Sequence, residues 1–411
     1  MNLILNFLLA VLLFVSFPPK LFAGAEPQLL IWEADQLAKN KAALADPPPE
    51  LAGALEILLE QANRALLTKS YSVTYNAHVP PSGDKHDYAS FGAYWWPDPS
   101  KEDGLPFIRR DGVTNHKQKA LGDKGHFSDF IKDVTDLSLA YYYLEDERHA
   151  EHAIHLISDW FLNPETRMNP HLRYAQAVLG RNEGKNSGLI DTRDFTYVLE
   201  SLELLKNSPS YSQDMETGLK QWFTDYLEWL RNSEFGRKES NARNNHGSWY
   251  HVQAIRIALF LDQKELAREL VEHVRDQFIP SQIMSDGTQP EELARTNAFH
   301  YSIFNLHALG IIARMAESLD YDLWHYRGED GKGIQIAAEY LLPYVTGTAE
   351  WPHEQIVEYH VSPLTMQFLR MMSVRYQEPD WLRVAAKLLE GYPEYNTAML
   401  MTAAFEEQRA K

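Results

Sequence analysis

The stretch SWYHVQAIRIALFLDQKELARELVEHVRDQF, residues 248–278, predicts the fold most directly. Its apolar residues recur every three or four positions, which is the spacing of one face of an α-helix. Ser248 is a favourable N-cap for a first helix over 249–262, and a second helix over 263–279 follows almost at once. The buried face of the first helix would consist of Val252, Ile255, Ala258 and Leu261. The stretch therefore predicts a helical hairpin.

The same helical spacing continues along most of the chain after residue 27. It covers residues 50–67, 125–147, 149–163, 191–207, 212–231, 297–317, 334–348, 363–375 and 380–391. Paired helices joined by short turns predict an all-α fold, an (α/α) toroid or an incomplete barrel, in one domain over 26–411. Tyr71–Tyr75 alternates β-formers and could form one short strand. No solenoid-type sequence repeat is present.

Two long segments lack helical spacing. The first, 76–116, contains YWWPDP at 94–99 and LPFIRRDG at 105–112, and the second covers 164–190. Loops of this length in a compact domain are usually functional or disordered, and the aromatic residues argue against disorder. We therefore expect both loops to form the walls of a cleft.

The N-terminus has the pattern of a secretory signal. An apolar run over 3–17 is followed by Ala23-Gly24-Ala25, which fits cleavage after Ala25. We expect residues 1–25 to be a signal peptide and the protein to be periplasmic or secreted, without stable membrane insertion after cleavage. A membrane anchor is the alternative, although the apolar run is short for spanning a bilayer.

Composition excludes several classes of function. The formal net charge is −18, which does not fit a nucleic-acid-binding protein. The chain has no cysteine, so disulfides, thiolate nucleophiles and thiolate metal sites are all excluded. If the substrate is an anionic polysaccharide, a locally cationic cleft must overcome the overall repulsion, which salt screens beyond about 8–10 Å.

The candidate catalytic residues are Asn245 and His246, in the stretch NNHGSWY over 244–250, together with Arg295 and Tyr301. An amide, an imidazole, a guanidinium and a phenol can together hold a sugar carboxylate and move the proton next to it. The carboxylate must be neutralised first, because removal of the neighbouring C5 proton adds negative charge to the same group. In the alternative interpretation the asparagines cap a helix, His246 is structural and Tyr301 is a half-buried core residue.

The order of these four residues resembles that in the alginate lyase superfamily of helical-toroid enzymes, in which an Asn-His pair is followed by an Arg and a Tyr. The stretches YWWPDP and LPFIRRDG also resemble this group, and the chain as a whole is most similar to polysaccharide lyase family 38. The resemblance implies β-elimination on a polyuronate, with no cofactor and no metal. Arg243, directly before the asparagine pair, is a second candidate for the cationic role. The further substrate-binding candidates are Asn244, Tyr94, Trp95, Trp96, Arg109, Arg110, Gln176, Tyr250 and His300.

The resemblance also implies how the proton is moved. In mannuronate the C5 hydrogen and the C4 oxygen lie on the same side of the ring, so Tyr301 would serve as both base and acid. In guluronate they lie on opposite sides, so His246 would be the base and Tyr301 the acid. As a base, Tyr301 must be a phenolate, which requires cationic neighbours such as Arg295.

Three alternatives remain open from the sequence. The first is the same elimination on glucuronan, a β-1,4-glucuronate polymer. The second is a glycoside hydrolase on the same fold, which would use two carboxylates chosen from Asp286, Glu291 and Glu292. The third is a carbohydrate-binding protein that needs the aromatic residues and not Tyr301. An ultraviolet-absorbing unsaturated uronate product distinguishes elimination from hydrolysis.

Overall fold

The computed structural model describes residues 26–358, 363–391 and 393–402, so the expected signal peptide, residues 1–25, lies outside the described residues. The helices of the described chain are α1 Ala34–Ala42, α2 Pro49–Ala65, α3 His116–Lys119, α4 Lys124–Leu144, α5 Glu147–Phe161, α6 Phe195–Leu205, α7 Gln213–Asn232, α8 Glu234–Glu239, α9 Asn245–Phe260, α10 Lys264–His273, α11 Ile279–Gln282, α12 Pro290–Leu293, α13 Ala298–Glu317, α14 Ile334–Val345, α15 Pro363–Tyr376 and α16 Pro379–Leu389. Short 3₁₀ segments cover Ala43–Ala45, Val73–Tyr75, Asn186–Thr192 and Pro393–Leu400, and Val274–Phe278 forms one π turn.

The long helices form a closed ring of paired helices. Helices α2, α4, α6, α9, α13 and α15 pack each against the next, and Pro393–Leu400 packs against both α15 and α2, which closes the ring. Helices α5, α10, α14 and α16 pack mainly on α4, α9, α13 and α15 respectively, and α10 also contacts α13. The fold is therefore an (α/α) toroid, as the sequence predicted.

Burial distinguishes the ring helices from the helices packed on them. Helix α6 buries ten of its eleven residues, which fits a helix covered on all sides. Helix α10 buries only Ala267 and Val271, and its other residues are half-buried or exposed. No helix in the described ranges has the length and apolar character needed to cross a membrane.

The predicted start of the helix with the candidate motif is wrong by one turn. Helix α9 begins at Asn245, and its N-cap is Asn244, whose side chain accepts a hydrogen bond from the backbone N–H of His246. Ser248 is fully buried inside the helix, where its hydroxyl donates to Gln282. Both residue types cap helices well, so local preference does not decide between them, and packing selects Asn244. The N-cap of α13 is Asn297.

The predicted strand over Tyr71–Tyr75 is also wrong. Val73–Tyr75 forms a 3₁₀ turn, because the hydroxyl of Ser72 accepts a hydrogen bond from the backbone N–H of Thr74. This local side-chain bond competes with extended pairing and favours a turn.

The two long loops contain the short strands of the protein. Strand β1, Ala89–Phe91, pairs in parallel with β4, Tyr174–Ala177, and this pairing joins the first loop to the second. Strands β2, Trp95–Trp96, and β3, Ile108–Arg109, pair antiparallel within the first loop. Together these strands hold the two loops over one end of α9 and α13.

Candidate active site

A cleft of about 900 Å³ lies where the two long loops meet the starts of α9 and α13. Its lining includes all four candidate catalytic residues, Asn245, His246, Arg295 and Tyr301. Six of the substrate-binding candidates also line it, namely Tyr94, Trp95, Arg109, Gln176, Asn244 and His300. The structure therefore brings together residues that lie more than two hundred positions apart in the sequence. Their catalytic and binding roles stay predictions.

The cleft is cationic although the protein is strongly acidic. Six basic and three acidic side chains line it, which reverses the sign of the overall charge of −18. A concave surface with one sign of charge concentrates ligands of the opposite sign. The basic residues are Arg109, Lys119, Lys124, Lys185, Arg193 and Arg295, and the acidic ones are Asp191, Glu239 and Glu291.

Tyr301 lies in the first turn of α13 with only 8% of its surface exposed. Its hydroxyl is 2.8 Å from the hydroxyl of Tyr94, which the first long loop contributes. The Arg295 guanidinium carbon lies 3.7 Å from the centre of the Tyr301 ring. Burial raises the pKa of Tyr301 well above its usual range and Tyr94 adds to this, whereas the charge of Arg295 acts in the opposite direction. Burial of Tyr301 therefore favours the protonated phenol.

Arg295 lies in the non-helical segment before α13, and it binds the first long loop. Its Nε and Nη2 donate to the two carboxylate oxygens of Asp111 at 2.9 and 2.7 Å. Arg109 also contacts this carboxylate, at 2.7 Å. Burial alone would raise the pKa of Asp111, but the hydrogen bonds and charge of Arg295 outweigh it and lower this pKa to about 2. Arg295 thus already has an anionic partner, which the sequence did not reveal.

His246 is oriented by a buried carboxylate. Its Nδ1 is 2.7 Å from Oε1 of Glu239, the last residue of α8, and Glu239 is 1% exposed. The other oxygen of Glu239 accepts a hydrogen bond from Asn186 at 2.8 Å. With Nδ1 bonded to the carboxylate, Nε2 is the ring nitrogen that remains for a substrate.

Asn245 also contacts a buried carboxylate, that of Glu292 in α12. The backbone N–H of Asn245 donates to Oε1 of Glu292 at 2.5 Å, and its side-chain Nδ2 donates to Oε2 at 2.8 Å. The amide oxygen Oδ1 of Asn245 is buried and has no hydrogen-bond partner among the residues that the structure describes. Burial raises the pKa of Glu292, although both hydrogen bonds from Asn245 oppose the shift.

Several residues of the cleft carry no sequence signal. The Lys124 ammonium donates to the carbonyl oxygen of Asp191 at 2.5 Å, and burial followed by the charge of Arg193 lowers the pKa of Lys124 to about 8. The Arg193 guanidinium lies 5.5 Å from the ring of Trp249. These cations come from a helix start and a 3₁₀ segment with no recognisable motif. Only the folded chain shows that they share one cleft.

Four predicted substrate-binding residues do not line this cleft. Tyr250 is buried on another face of α9, where its hydroxyl donates to the carbonyl of Leu230 at 3.3 Å. Arg110 packs over the ring of Trp96 at 5.3 Å. Successive side chains of a strand point to opposite faces, so Trp96 lies on the face of the β2–β3 hairpin away from Trp95. Arg110 lies on the same face as Trp96. Arg243 is exposed before the helix start.

The carboxylates offered for a hydrolase are not arranged as a pair across the cleft. Glu291 lines the cleft and is exposed, whereas Glu292 is buried against Asn245. Asp286 is exposed and accepts hydrogen bonds from Thr288. Within residues 26–358, 363–391 and 393–402, no group of three or more histidine, aspartate or glutamate side chains is placed to share a metal ion.

Comparison with known proteins gives a consistent result. The family model described as alginate lyase matches residues 72–351. A crystal structure of an alginate lyase from Bacteroides ovatus is 37% identical, with a TM-score of 0.86 over 91% of this chain and 99% of that chain. No curated protein sequence matches the chain.

More distant structures share the fold. Alginate lyase A1-III from Sphingomonas species A1 is 15% identical, with a TM-score of 0.56 over 89% of this chain and 94% of that chain. A variant of A1-III with a tyrosine replaced by phenylalanine, complexed with a tetrasaccharide, is also 15% identical, with a TM-score of 0.56 over 90% of this chain and 95% of that chain.

Proposed function

Because this chain belongs to the alginate lyase family and is a polysaccharide lyase, we propose that it cleaves a 1,4-linked polyuronate by β-elimination, with mannuronate-containing alginate as the main substrate. The observation that carries the proposal is the cationic cleft in which Asn245, His246, Arg295 and Tyr301 meet. Structures of A1-III variants in complex with a tetrasaccharide support an oligosaccharide ligand for this fold.

The basic residues of the cleft fit a polyanionic chain. Lys124, Lys185 and Arg193 lie along the second long loop and the start of α4, and Arg109 lies on the hairpin of the first. Each can pair with the carboxylate of one sugar, while Trp95 offers an aromatic face for a ring. These contacts bind the substrate equally well before and during the reaction, so they lower KM more than they raise kcat.

The reacting sugar is placed by the starts of α9 and α13. Donors from Asn245 and the positive end of α9 would stabilise the charge that develops on the carboxylate when the C5 proton leaves. Tyr301, protonated at rest, would donate its proton to the C4 oxygen of the leaving sugar. With guluronate, Nε2 of His246 would remove the C5 proton from the opposite side.

Mannuronate makes a different demand on the same phenol. Since the C5 hydrogen and the C4 oxygen of mannuronate lie on one side of the ring, Tyr301 would first have to be a phenolate. It would then take the C5 proton and pass it to the leaving C4 oxygen. Arg295 over the ring favours the phenolate, and burial opposes it. The mannuronate reaction is therefore expected to depend more steeply on pH than the guluronate reaction.

The experiment is a panel of purified polymannuronate, polyguluronate and glucuronan, with cleavage followed by the ultraviolet absorbance of the unsaturated product. We expect the largest rate on polymannuronate. A larger rate on glucuronan would favour the glucuronan alternative. Reducing ends without ultraviolet absorbance would contradict elimination altogether.

We also propose that the protein acts after export, because of the apolar segment before Ala23-Gly24-Ala25. N-terminal sequencing of the protein recovered from its native cell should begin at Glu26. An intact Met1 would contradict the proposal.

A further inference from the structure

The contact between Asn245 and Glu292 joins two groups whose states depend on each other. As observed, Glu292 accepts two N–H hydrogen bonds from Asn245, which suits an ionised carboxylate. As a consequence, Oδ1 of Asn245 is buried with no hydrogen-bond partner in the described part of the chain. Most buried polar atoms have a partner, so an acceptor left in this way at the edge of a cleft calls for an explanation.

A second arrangement of the same atoms is available. If Glu292 carries a proton, its O–H can donate to Oδ1 of Asn245 once the amide turns by half a rotation about its last bond. The bond from the backbone N–H of Asn245 to the other oxygen of Glu292 is kept. The amide nitrogen Nδ2, with two N–H donors, then takes the place of Oδ1. The amide thus offers either an acceptor or a donor, according to the proton on Glu292.

The surroundings favour the protonated form once an anion binds. Burial already raises the pKa of Glu292. The basic groups that face it are Arg295 from the segment after α12 and His246 from α9, and positive charge on either group lowers the pKa of Glu292. Each of these groups is itself paired with a carboxylate, Arg295 with Asp111 and His246 with Glu239. A uronate carboxylate brought against Asn245 would add a like charge close to Glu292 and raise its pKa further.

We propose that binding of a uronate carboxylate beside Asn245 drives Glu292 to take up one proton from solvent, and that the Asn245 amide turns so that Nδ2 donates to the bound carboxylate. Glu292 is then a positioning residue that acts through Asn245. The inference rests on the proposed function, because it requires a uronate at this end of the cleft.

The test measures proton uptake during binding. Tetramannuronate is titrated into the full-length Tyr301→Phe protein by calorimetry in buffers of different ionisation enthalpy, between about pH 5 and pH 9. We expect more uptake in Tyr301→Phe than in Tyr301→Phe/Glu292→Gln, by up to one proton. Glutamine can donate permanently to Oδ1 of Asn245, so the double variant has no proton to gain there. The dissociation constant of Tyr301→Phe should also rise with pH, by at most about tenfold per unit more than that of the double variant.

The matched control is Glu291→Gln in the same Tyr301→Phe background. Glu291 lines the cleft one position away and is exposed. Its replacement removes the same charge without changing Asn245 or Glu292. Tyr301→Phe/Glu291→Gln should therefore take up as many protons on binding as Tyr301→Phe does. Equal uptake with and without Glu292 would overturn this inference and leave the proposed function in place. Failure of any tetrauronate to bind would overturn both.

A measurement on the native glutamate keeps the inference falsifiable if the double variant does not fold. Infrared difference spectra of Tyr301→Phe, with and without tetramannuronate, should show a new band of a protonated carboxyl group in the bound state. A bound complex that lacks this band would overturn the inference.

Discussion

The two sides of the cleft hold their candidate residues in opposite ways. On the α9 side, His246 and Asn245 each contact a carboxylate that is 1% exposed, from Glu239 and Glu292. On the α13 side, the hydroxyl of Tyr301 lies 2.8 Å from another phenol, that of Tyr94. One side is supported by buried negative charge, and the other is not.

The α13 side has its negative charge one step further away. Asp111 contacts Arg295, and the guanidinium of Arg295 lies over the ring of Tyr301. A buried carboxylate next to an imidazole favours a group that accepts a proton, whereas burial beside a phenol favours a group that keeps one. The comparison supports His246 as the base and Tyr301 as the acid of the opposite-sided reaction.

The largest expected effect concerns the acid. Tyr301→Phe keeps the ring and removes one oxygen, so the lost hydrogen bond to Tyr94 should change the free energy of unfolding by about 1 kcal/mol. If Tyr301 transfers the proton, turnover should fall by about 10²–10⁴-fold or more on every polyuronate. Initial rates from ultraviolet absorbance and a thermal melt of the same preparation measure both quantities.

Tyr250→Phe is the matched control for that substitution. Tyr250 is also buried, its hydroxyl donates to the carbonyl of Leu230, and it does not line the cleft. It should show the same small change in stability with near-normal turnover. Turnover of Tyr301→Phe above roughly a tenth of wild type would mean that Tyr301 is not the proton carrier.

The second prediction tests the α9 side. His246→Ala and Asn245→Ala should each lower turnover by at least about a hundredfold in protein that remains folded. Glu239→Gln keeps the shape of the carboxylate and removes its charge. An orienting carboxylate is worth up to about 10⁴-fold in hydrolytic triads, so this variant should also lose activity while His246 remains. Wild-type rates in folded variants would exclude these roles, and a large loss of thermal stability would indicate a structural one.

The fold could be predicted from local pattern, and the reason is visible in α9 and α6. Their apolar spacing reports burial directly, because a helix covered on all sides must be apolar almost throughout. Helix starts were less predictable. Ser248 and Asn244 are both good capping residues, and only the bond from Ser248 to Gln282 on α11 shows why Ser248 lies inside.

The candidate residues were predictable by resemblance, and their carboxylate partners were not. Glu239 precedes His246 by seven residues, Glu292 follows Asn245 by 47, and Asp111 precedes Arg295 by 184. Glu239 and His246 are about two helical turns apart in sequence but lie in different helices, and the other two pairs are separated by far longer stretches, so no sequence pattern points to these contacts. The closed ring brings them into contact.

The third prediction asks whether the two sides act in different reactions. Below the pKa of Tyr301, the phenolate fraction rises tenfold per pH unit, so the ratio of the polymannuronate rate to the polyguluronate rate should rise with pH by at most about tenfold per unit. The ratio is measured above about pH 7.5. Titration of Glu292 should change the rates on both substrates by the same factor, so it does not change their ratio. A ratio that does not change with pH would contradict the dual role of Tyr301 on mannuronate.

The smallest expected effect concerns the ion pair behind the α13 side. The folded-state pKa of Asp111, about 2, is below its ordinary value of 3.8, so the ionised form stabilises the fold above about pH 4, and this contribution is lost as the pH falls towards 2. Asp111→Asn should therefore melt at a lower temperature than wild type at neutral pH. The loss in free energy of unfolding should be about 1 kcal/mol or less, because the ion pair is partly exposed to solvent. Glu102→Gln, an exposed change on the same loop, is the control and should melt like wild type. Thermal melts from about pH 7 down to about pH 2 should show the two curves of Asp111→Asn and wild type converging as Asp111 becomes protonated. A difference that stays constant over this range would mean that the loop is held by packing, and not by the charge of Arg295.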